Sequence, residues 1–277
     1  MLKITGFADE ISQDPQVQID TLRAEKIKYL EFRAVWGQNV LALSRDKLKE
    51  YRRMLDGAGI RVSTIGSPVG KIKITDPFEP ELARFKYSLE VAQIMGAQYV
   101  RIFSYYMPEG QDPARYRDQV LRRMKAKVDA GQGAPLTLFN ENEADLYGML
   151  PERCLEIIQH CGGPKRLIQC FDPGNFVSRK INPLEAWRIL KDVTGYFHIK
   201  DWTLTPKSHA TPAGEGDGCI PQILEEAVMR KGYDGFLSLE PHLSGGDKTS
   251  GFSGPDNYRR AAQALKKIID NFGGKYE

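Results

Sequence analysis

Short apolar runs alternate with longer stretches of helical spacing from one end of the chain to the other. Eight runs have the length and composition of strands: Lys3–Phe7, Tyr29–Arg33, Arg61–Ile65, Tyr99–Phe103, Leu136–Phe139, Leu167–Phe171, Gly195–Ile199 and Gly235–Leu239. The stretches between them carry helix punctuation. Ser44 stands where a cap would open a helix bearing Leu48, Tyr51 and Leu55, and Gly57 and Gly59 close it. Leu82, Phe85, Leu89 and Ala92 form one apolar stripe that stops at Met95-Gly96. Pro151 opens a helix that ends at Cys161-Gly162-Gly163. Tyr258, Ala262, Leu265 and Ile269 share a face of the last helix.

Alternating strand and helix imply a parallel sheet. Eight such units in 277 residues predict an α/β fold, a closed (β/α)8 TIM barrel spanning residues 1–277 as a single domain. The alternative is an open doubly wound sheet. Against it, no G-x-G-x-x-G follows the first strand and no linker divides the chain. Two polar, glycine-rich segments, Trp202–Gly218 and Pro241–Pro255, follow strands seven and eight. Both exceed the usual strand-to-helix loop, which marks them as functional candidates. The second is expected to cover the distal end of a substrate, with Ser244, Lys248 and Lys200 as candidate phosphate contacts.

Composition removes several function classes. Lys and Arg total 39 against 36 Asp and Glu, a net charge of +3, too small an excess for a nucleic-acid face. No apolar run approaches the roughly 20 residues of a membrane helix. The segment MLKITGFADEI reads as a first strand rather than a secretory signal, so a cytoplasmic location is expected. Cys154, Cys161, Cys170 and Cys219 form no C-x-x-C pair and read as reduced, structural thiols.

The chemistry lies in what ends the last four strands: FNENE, CFDPGNF, YFHIKD and LSLEPH. Side chains alternate across a strand, so Glu141 shares a face with Phe139, Asp172 with Cys170, His198 with Tyr196, and Glu240 with Ser238 and Phe236. Four ligand types thus point inward at the C-terminal mouth of the barrel, where such enzymes keep their active sites. Taken alone, Asp172 before Pro173 also suits a helix cap or a turn. Four coincidences on adjacent strands are harder to dismiss. Three carboxylates and an imidazole suit one divalent metal, Mn²⁺ first, with Mg²⁺, Zn²⁺ or Co²⁺ as alternatives.

The ENE stretch at Glu141–Glu143, FDPGNF at Phe171–Phe176, HIKD at His198–Asp201, GEGDG at Gly214–Gly218 and LEPH at Leu239–His242 resemble the sugar phosphate isomerase/epimerase superfamily, the xylose isomerase-like TIM barrels. The resemblance spans essentially the whole chain. It implies that Glu141, Asp172, His198 and Glu240 are the metal ligands, and that Glu141 and Glu240 serve as catalytic base and acid. Asn175 stands where the epimerase members have a histidine, and those members lack the Lys-Asp pair that follows His198.

Glu31, Arg101, Glu143, Lys200 and His209 are further candidates for substrate binding. Glu143 also suits a solvated loop acid, and Lys200 a salt bridge with Asp201. The expected activity is isomerisation or epimerisation of a sugar or sugar phosphate, by proton transfer next to a carbonyl through a metal-stabilised enediolate. An inosose-type dehydratase using the same metal is the alternative, with His209 or Lys200 as the acid. A non-catalytic metal-binding barrel and an apurinic endonuclease stand behind these; four histidines are too few for the multi-histidine centre that the latter implies. The expected partner is a small-molecule sugar, with no nucleic acid and no membrane; a homo-oligomer is left open.

Overall fold

The computed structural model describes residues 1–244 and 251–277. The eight expected strands form as β1 Lys3–Gly6, β2 Tyr29–Phe32, β3 Arg61–Ile65, β4 Tyr99–Ile102, β5 Thr137–Glu141, β6 Leu167–Phe171, β7 Thr194–Ile199 and β8 Phe236–Leu239. They make one parallel sheet in the order β1-β8-β7-β6-β5-β4-β3-β2. A parallel bridge between Phe7 and Glu31 brings the two edges together, so the sheet is a nearly closed barrel.

Around it run α1 Pro15–Ala24, α2 Arg45–Gly57, α3 Phe78–Met95, α4 Arg117–Ala130, α5 Pro151–His160, α6 Pro173–Ser178, α7 Pro183–Leu190, α8 Ile220–Glu225 and α9 Gly254–Asn271. Ser44 caps α2 by accepting from the Lys47 N–H at 3.3 Å, and Leu48, Tyr51 and Leu55 face inward as their spacing requires. Gly96 ends α3 in the left-handed conformation, φ 67°, that costs glycine least.

Strand alternation divides the apolar residues between two cores. Leu237, Leu239, Phe171, Phe197 and Ile199 pack outward under the helices. Tyr29, Phe139, Cys170, Tyr196 and Phe236 turn inward and plug the barrel. A polar layer lies over this plug: Thr64 Oγ1 donates to the Tyr196 hydroxyl at 2.9 Å, and Thr5 meets Ser63 at 2.8 Å. The site above therefore rests on a filled floor.

Two segments differ from the sequence reading. Strand β5 runs on to Glu141, past the expected end at Phe139, because polar Asn140 finds a partner on the next strand, Gln169, at 3.3 Å. The Trp202–Gly218 segment is not all loop. Asp201–Thr203 and His209–Thr211 pair as an antiparallel hairpin. Residues 245–250 of the Pro241–Pro255 segment, Lys248 among them, lie outside the described residues. No helix among the described residues is long and apolar enough to cross a membrane.

One buried cation sits outside the barrel mouth. Lys127 of α4 is fully buried, donates to the Phe103 carbonyl at 3.0 Å, and lies 4.5 Å over the Tyr105 ring. Burial pulls its ammonium from the ordinary 10.5 down to about 8. Between those pH values the unfolded chain holds more protons than the folded one, so stability rises with pH there. Wild-type protein should gain about 3 kcal/mol relative to Lys127→Met as pH rises through this window. Denaturant melts at pH 7 and at pH 10 check this; a difference that does not change with pH refutes it.

Candidate metal centre

The four strand-end residues meet. One ligand atom from each of Glu141, Asp172, His198 and Glu240 lies within 4.8 Å of all the others, and all four residues are buried. The ladder register explains this. Ser238 on β8 pairs with His198, and Cys170 on β6 pairs with Glu141, so adjacent strands end at one height. His198 Nδ1 stands 3.1 Å from Glu141 Oε1 and 3.2 Å from Glu240 Oε2, yet makes no hydrogen bond. A buried imidazole nitrogen aimed between two carboxylate oxygens without bonding either is the expected signature of a ligand. The donor set, three hard carboxylates and one imidazole, fits a divalent ion.

Each ligand is held from behind. Glu31, fully buried, accepts from Tyr196 at 2.9 Å and from Ser238 at 2.6 Å, and its Oε2 lies 3.3 Å from His198 Nε2. Nε2 makes no hydrogen bond either, so Glu31 acts on the ring through its charge, which favours the proton on Nε2 and leaves Nδ1 free as the candidate ligand atom. Glu31 thus lies beneath the cluster, on the side away from the mouth. Arg101 donates to Glu141 Oε2 at 2.9 Å and anchors itself on the Gly66 and Ser67 carbonyls. Arg33 donates to Glu240 Oε1 at 3.1 Å and to Asp9 at 2.8 Å.

Asp172 has two tasks. One oxygen accepts from the Asn175 N–H at 2.9 Å and so caps α6; the other meets Lys200 Nζ at 2.9 Å and Asn175 Nδ2 at 3.0 Å. Asp172 thus caps α6 and also stands within the cluster of candidate ligands. Asn142 fixes its backbone by donating to the Asp172 carbonyl at 2.8 Å and accepting from its N–H at 3.0 Å.

Lys200 does not pair with Asp201. Its ammonium is buried between Asp172 and Glu240 Oε2, the latter at 3.4 Å. Asp201 instead accepts from the amides of Gly214, Gly216 and Gly218 at 2.8, 3.1 and 2.8 Å. A Cβ at Gly216 or Gly218 would come within 2.5 or 2.6 Å of that carboxylate, and Gly214 sits at φ 85°, which together account for the glycines of GEGDG. A Cβ at Gly174 would meet Lys200 Cγ at 2.7 Å, so the glycine of FDPGNF makes room for the lysine stem.

Six buried carboxylates, Asp9, Glu10, Glu31, Glu141, Asp172 and Glu240, stand against three buried cations, Arg33, Arg101 and Lys200. The pKa shifts register the imbalance. Burial opposes ionisation at Glu141, but His198 and Arg101 outweigh it and hold the carboxyl down to about 2. Burial wins at Asp172, pushing it up to about 7 against the pull of Lys200. A divalent cation would relieve most of the excess.

Other expected residues fall elsewhere. Glu143 is half-buried and paired with Lys71 at 2.7 Å across the mouth. His209 stands exposed on the hairpin, with Nδ1 2.5 Å from the Lys207 carbonyl oxygen, and is not brought to the cluster. The ends of the strand-eight segment fold back on the barrel, with Ser244 Oγ donating to the Ser253 carbonyl at 2.8 Å. Sequence reasoning missed Arg33, Asp9, Glu10 and His242. Arg33 was open to the alternation that found Glu31, two residues before it on the same strand face. Asp9 and Glu10 follow β1 in a turn that carries no periodic signal.

A family profile described as xylose isomerase-like TIM barrel matches residues 19–268. No curated protein sequence matches the chain. Among solved structures, a D-tagatose 3-epimerase-like protein aligns over 98% of both chains, with a TM-score of 0.77 and 17% identity. A xylose isomerase-like TIM barrel protein from Mycobacterium smegmatis, in complex with magnesium, aligns over 98% of this chain and 97% of its own, with a TM-score of 0.74 and 19% identity. The probable 3-DHS dehydratase AsbF of Bacillus anthracis covers 95% of this chain and 98% of its own, with a TM-score of 0.72 and 13% identity. At these identities the likeness is one of fold.

The arrangement beneath His198 generates a test. Glu31→Gln keeps an acceptor for Tyr196 and Ser238 but removes the charge facing the ring. It should weaken divalent-metal binding by roughly 10–100-fold while leaving the far-UV spectrum unchanged. Calorimetric titration with Mn²⁺ reads the difference, and wild-type affinity in the variant would deny Glu31 this role.

Proposed function

The chain belongs to the xylose isomerase-like TIM barrel family, and on that premise we propose that it is a metal-dependent isomerase or epimerase of a sugar or sugar phosphate. The reading places one divalent ion, Mn²⁺ first, on Glu141, Asp172, His198 and Glu240. An ion bound there would polarise the substrate carbonyl and acidify the C–H beside it.

The observation that carries the proposal is the matched environment of the two glutamates. Glu141 turns Oε1 toward His198 Nδ1 and Oε2 toward Arg101; Glu240 turns Oε2 toward the same nitrogen and Oε1 toward Arg33. Each carboxylate therefore has one oxygen facing the ligand cluster and one facing a guanidinium. An ionised carboxylate has about four acceptor positions, so the arginine-bound oxygen keeps a lone pair for a proton. Two such groups on either side of the carbon next to the carbonyl can remove its proton from one face and return one to the other.

Beside the arginines opens a cavity of about 600 Å³, lined by Asp9, Gln13, Arg33, Asn39, Lys71, Arg101 and Tyr106 among others. Its size lies in the range of small-molecule sites, and its amide and charged lining suits a hydroxyl-rich ligand. Glu143 and Lys200 remain the candidate substrate contacts at the rim and the centre, with Arg101 acting through Glu141.

A dehydratase is the second reading, and the position of Lys200 favours it. A buried ammonium beside two ligands could protonate a departing hydroxyl. One experiment separates the two. The metal-loaded protein is incubated with ketoses, ketose phosphates and inososes in D₂O and followed by NMR. Deuterium next to the carbonyl without loss of hydroxyl supports the isomerase or epimerase; a dehydrated product supports the lyase; no exchange in any compound overturns both. Glu141→Gln and Glu240→Gln should retain part of the metal yet lose exchange by at least about 100-fold. Exchange at the wild-type rate in either variant would move the proton-transfer role elsewhere.

A further inference from the structure

A second group of ligand atoms stands beside the first. Glu10, at the end of the turn that follows β1, is fully buried. Its Oε2 accepts from the His242 N–H at 2.8 Å and from Ser253 Oγ at 2.9 Å. Its Oε1 has no hydrogen-bond partner, although His242 Nε2 lies 3.3 Å away. The same imidazole nitrogen is 3.3 Å from Glu240 Oε1, and it too makes no hydrogen bond. The three ligand atoms lie within 4.8 Å of one another.

We propose that Glu10, Glu240 and His242 form a second divalent-cation subsite, joined to the first through Glu240 as a bridging carboxylate. It rests on the reading of Glu240 as a ligand of the first ion. Three observations carry it. The geometry repeats that of His198: an imidazole nitrogen equidistant from two carboxylate oxygens and bonded to neither. Ligands about 2.1 Å from a common ion and at adjacent vertices stand roughly 3.0–3.4 Å apart, which brackets the 3.3 Å separations. The two oxygens of Glu240 face opposite ways, Oε2 toward the first cluster and Oε1 toward the second; an ion in the second subsite takes the lone pair that Oε1 would otherwise offer a proton, so proton transfer by Glu240 belongs to the state with that subsite empty. A carboxylate so placed can span two ions about 3.5–4 Å apart.

The backbone is set for this. His242 adopts φ 52°, a left-handed conformation uncommon outside glycine, and the Glu10 carboxylate holds its N–H there. Arg33 approaches Glu240 Oε1 at 3.1 Å and Glu10 Oε1 at 4.0 Å, and its pairing with Asp9 at 2.8 Å offsets its charge. One divalent ion leaves a single negative charge on the six-carboxylate, three-cation mouth, so a second cation is electrostatically admissible. With three protein ligands and a partly exposed His242, the subsite keeps positions open for water or substrate oxygens and should bind more weakly than the first.

The test uses the full chain stripped of metal by chelation and titrated with MnCl₂, followed by calorimetry and by electron paramagnetic resonance at saturation. Wild type should bind two ions, the second at least about tenfold more weakly, and show a spin-coupled Mn²⁺ pair. His242→Asn should bind one ion, with the first affinity within about threefold of wild type and an uncoupled signal; asparagine tolerates the left-handed backbone, and its side chain is too short to reach the ion. His242→Gly, still easier at that φ, carries the same expectation should the asparagine variant fail to fold. Saturation of wild type at one ion, or two ions in either folded variant, overturns the subsite and leaves the first centre standing. Binding of no ion overturns both.

Discussion

Burying several carboxylates within a few ångströms of one another is the constraint on which the rest of this structure depends. Desolvation alone makes an isolated buried charge very costly, and like charges at contact distance add to that cost. The barrel mouth accepts the burden because every carboxylate but Glu10 has a buried cation or imidazole facing it at close range. Arg101 faces Glu141, Arg33 faces Asp9 and Glu240, Lys200 faces Asp172 and Glu240, and His198 lies against Glu31. The cations still fall short of the carboxylates, and Asp172 carries the deficit as a raised pKa. A bound divalent ion would complete the set. Lys200 would then have to step back from Asp172 and Glu240, which would turn its ammonium toward whatever occupies the mouth.

Precision in such a cluster comes from the elements beneath it. The candidate ligands sit at the ends of β5 to β8, whose ladder fixes their heights, and the inward aromatic plug of Phe139, Tyr196 and Phe236 fills the barrel beneath them. The loops supply the second layer. Asn142 and Asn175 tie β5 to the turn after β6, and the GEGDG amides hold Asp201 so that the preceding Lys200 points inward. Several short motifs of the sequence are therefore supports for neighbouring motifs rather than contacts for a ligand.

Strand periodicity carried most of what the sequence disclosed. A two-residue repeat states which side chains enter a barrel, so Phe139, Cys170, Tyr196 and Phe236 were placed correctly, and the four strand-end ligand types followed from the same rule. The rule stops where the strand stops. Glu10 and His242 lie beyond β1 and β8, and their meeting depends on the left-handed turn at His242, which no apolar pattern encodes. Glu31 was expected to contact substrate, and instead lies below His198; the register between β2 and β3 shifts at Leu30 and Glu31, an irregularity that strand alternation does not encode. The pairing of Lys200 with Asp172, rather than with adjacent Asp201, likewise required the three glycine amides in place.

In the proposed reading a divalent ion, not the Lys200 ammonium, is the working counter-charge of the cluster. Anomalous diffraction at the manganese edge, from crystals of the protein grown with MnCl₂, addresses it most directly. The account predicts a strong peak within about 2.3 Å of Glu141, Asp172, His198 Nδ1 and Glu240 together, with Lys200 Nζ withdrawn from Asp172. A map with no peak there, and Lys200 still seated between Asp172 and Glu240, would contradict it.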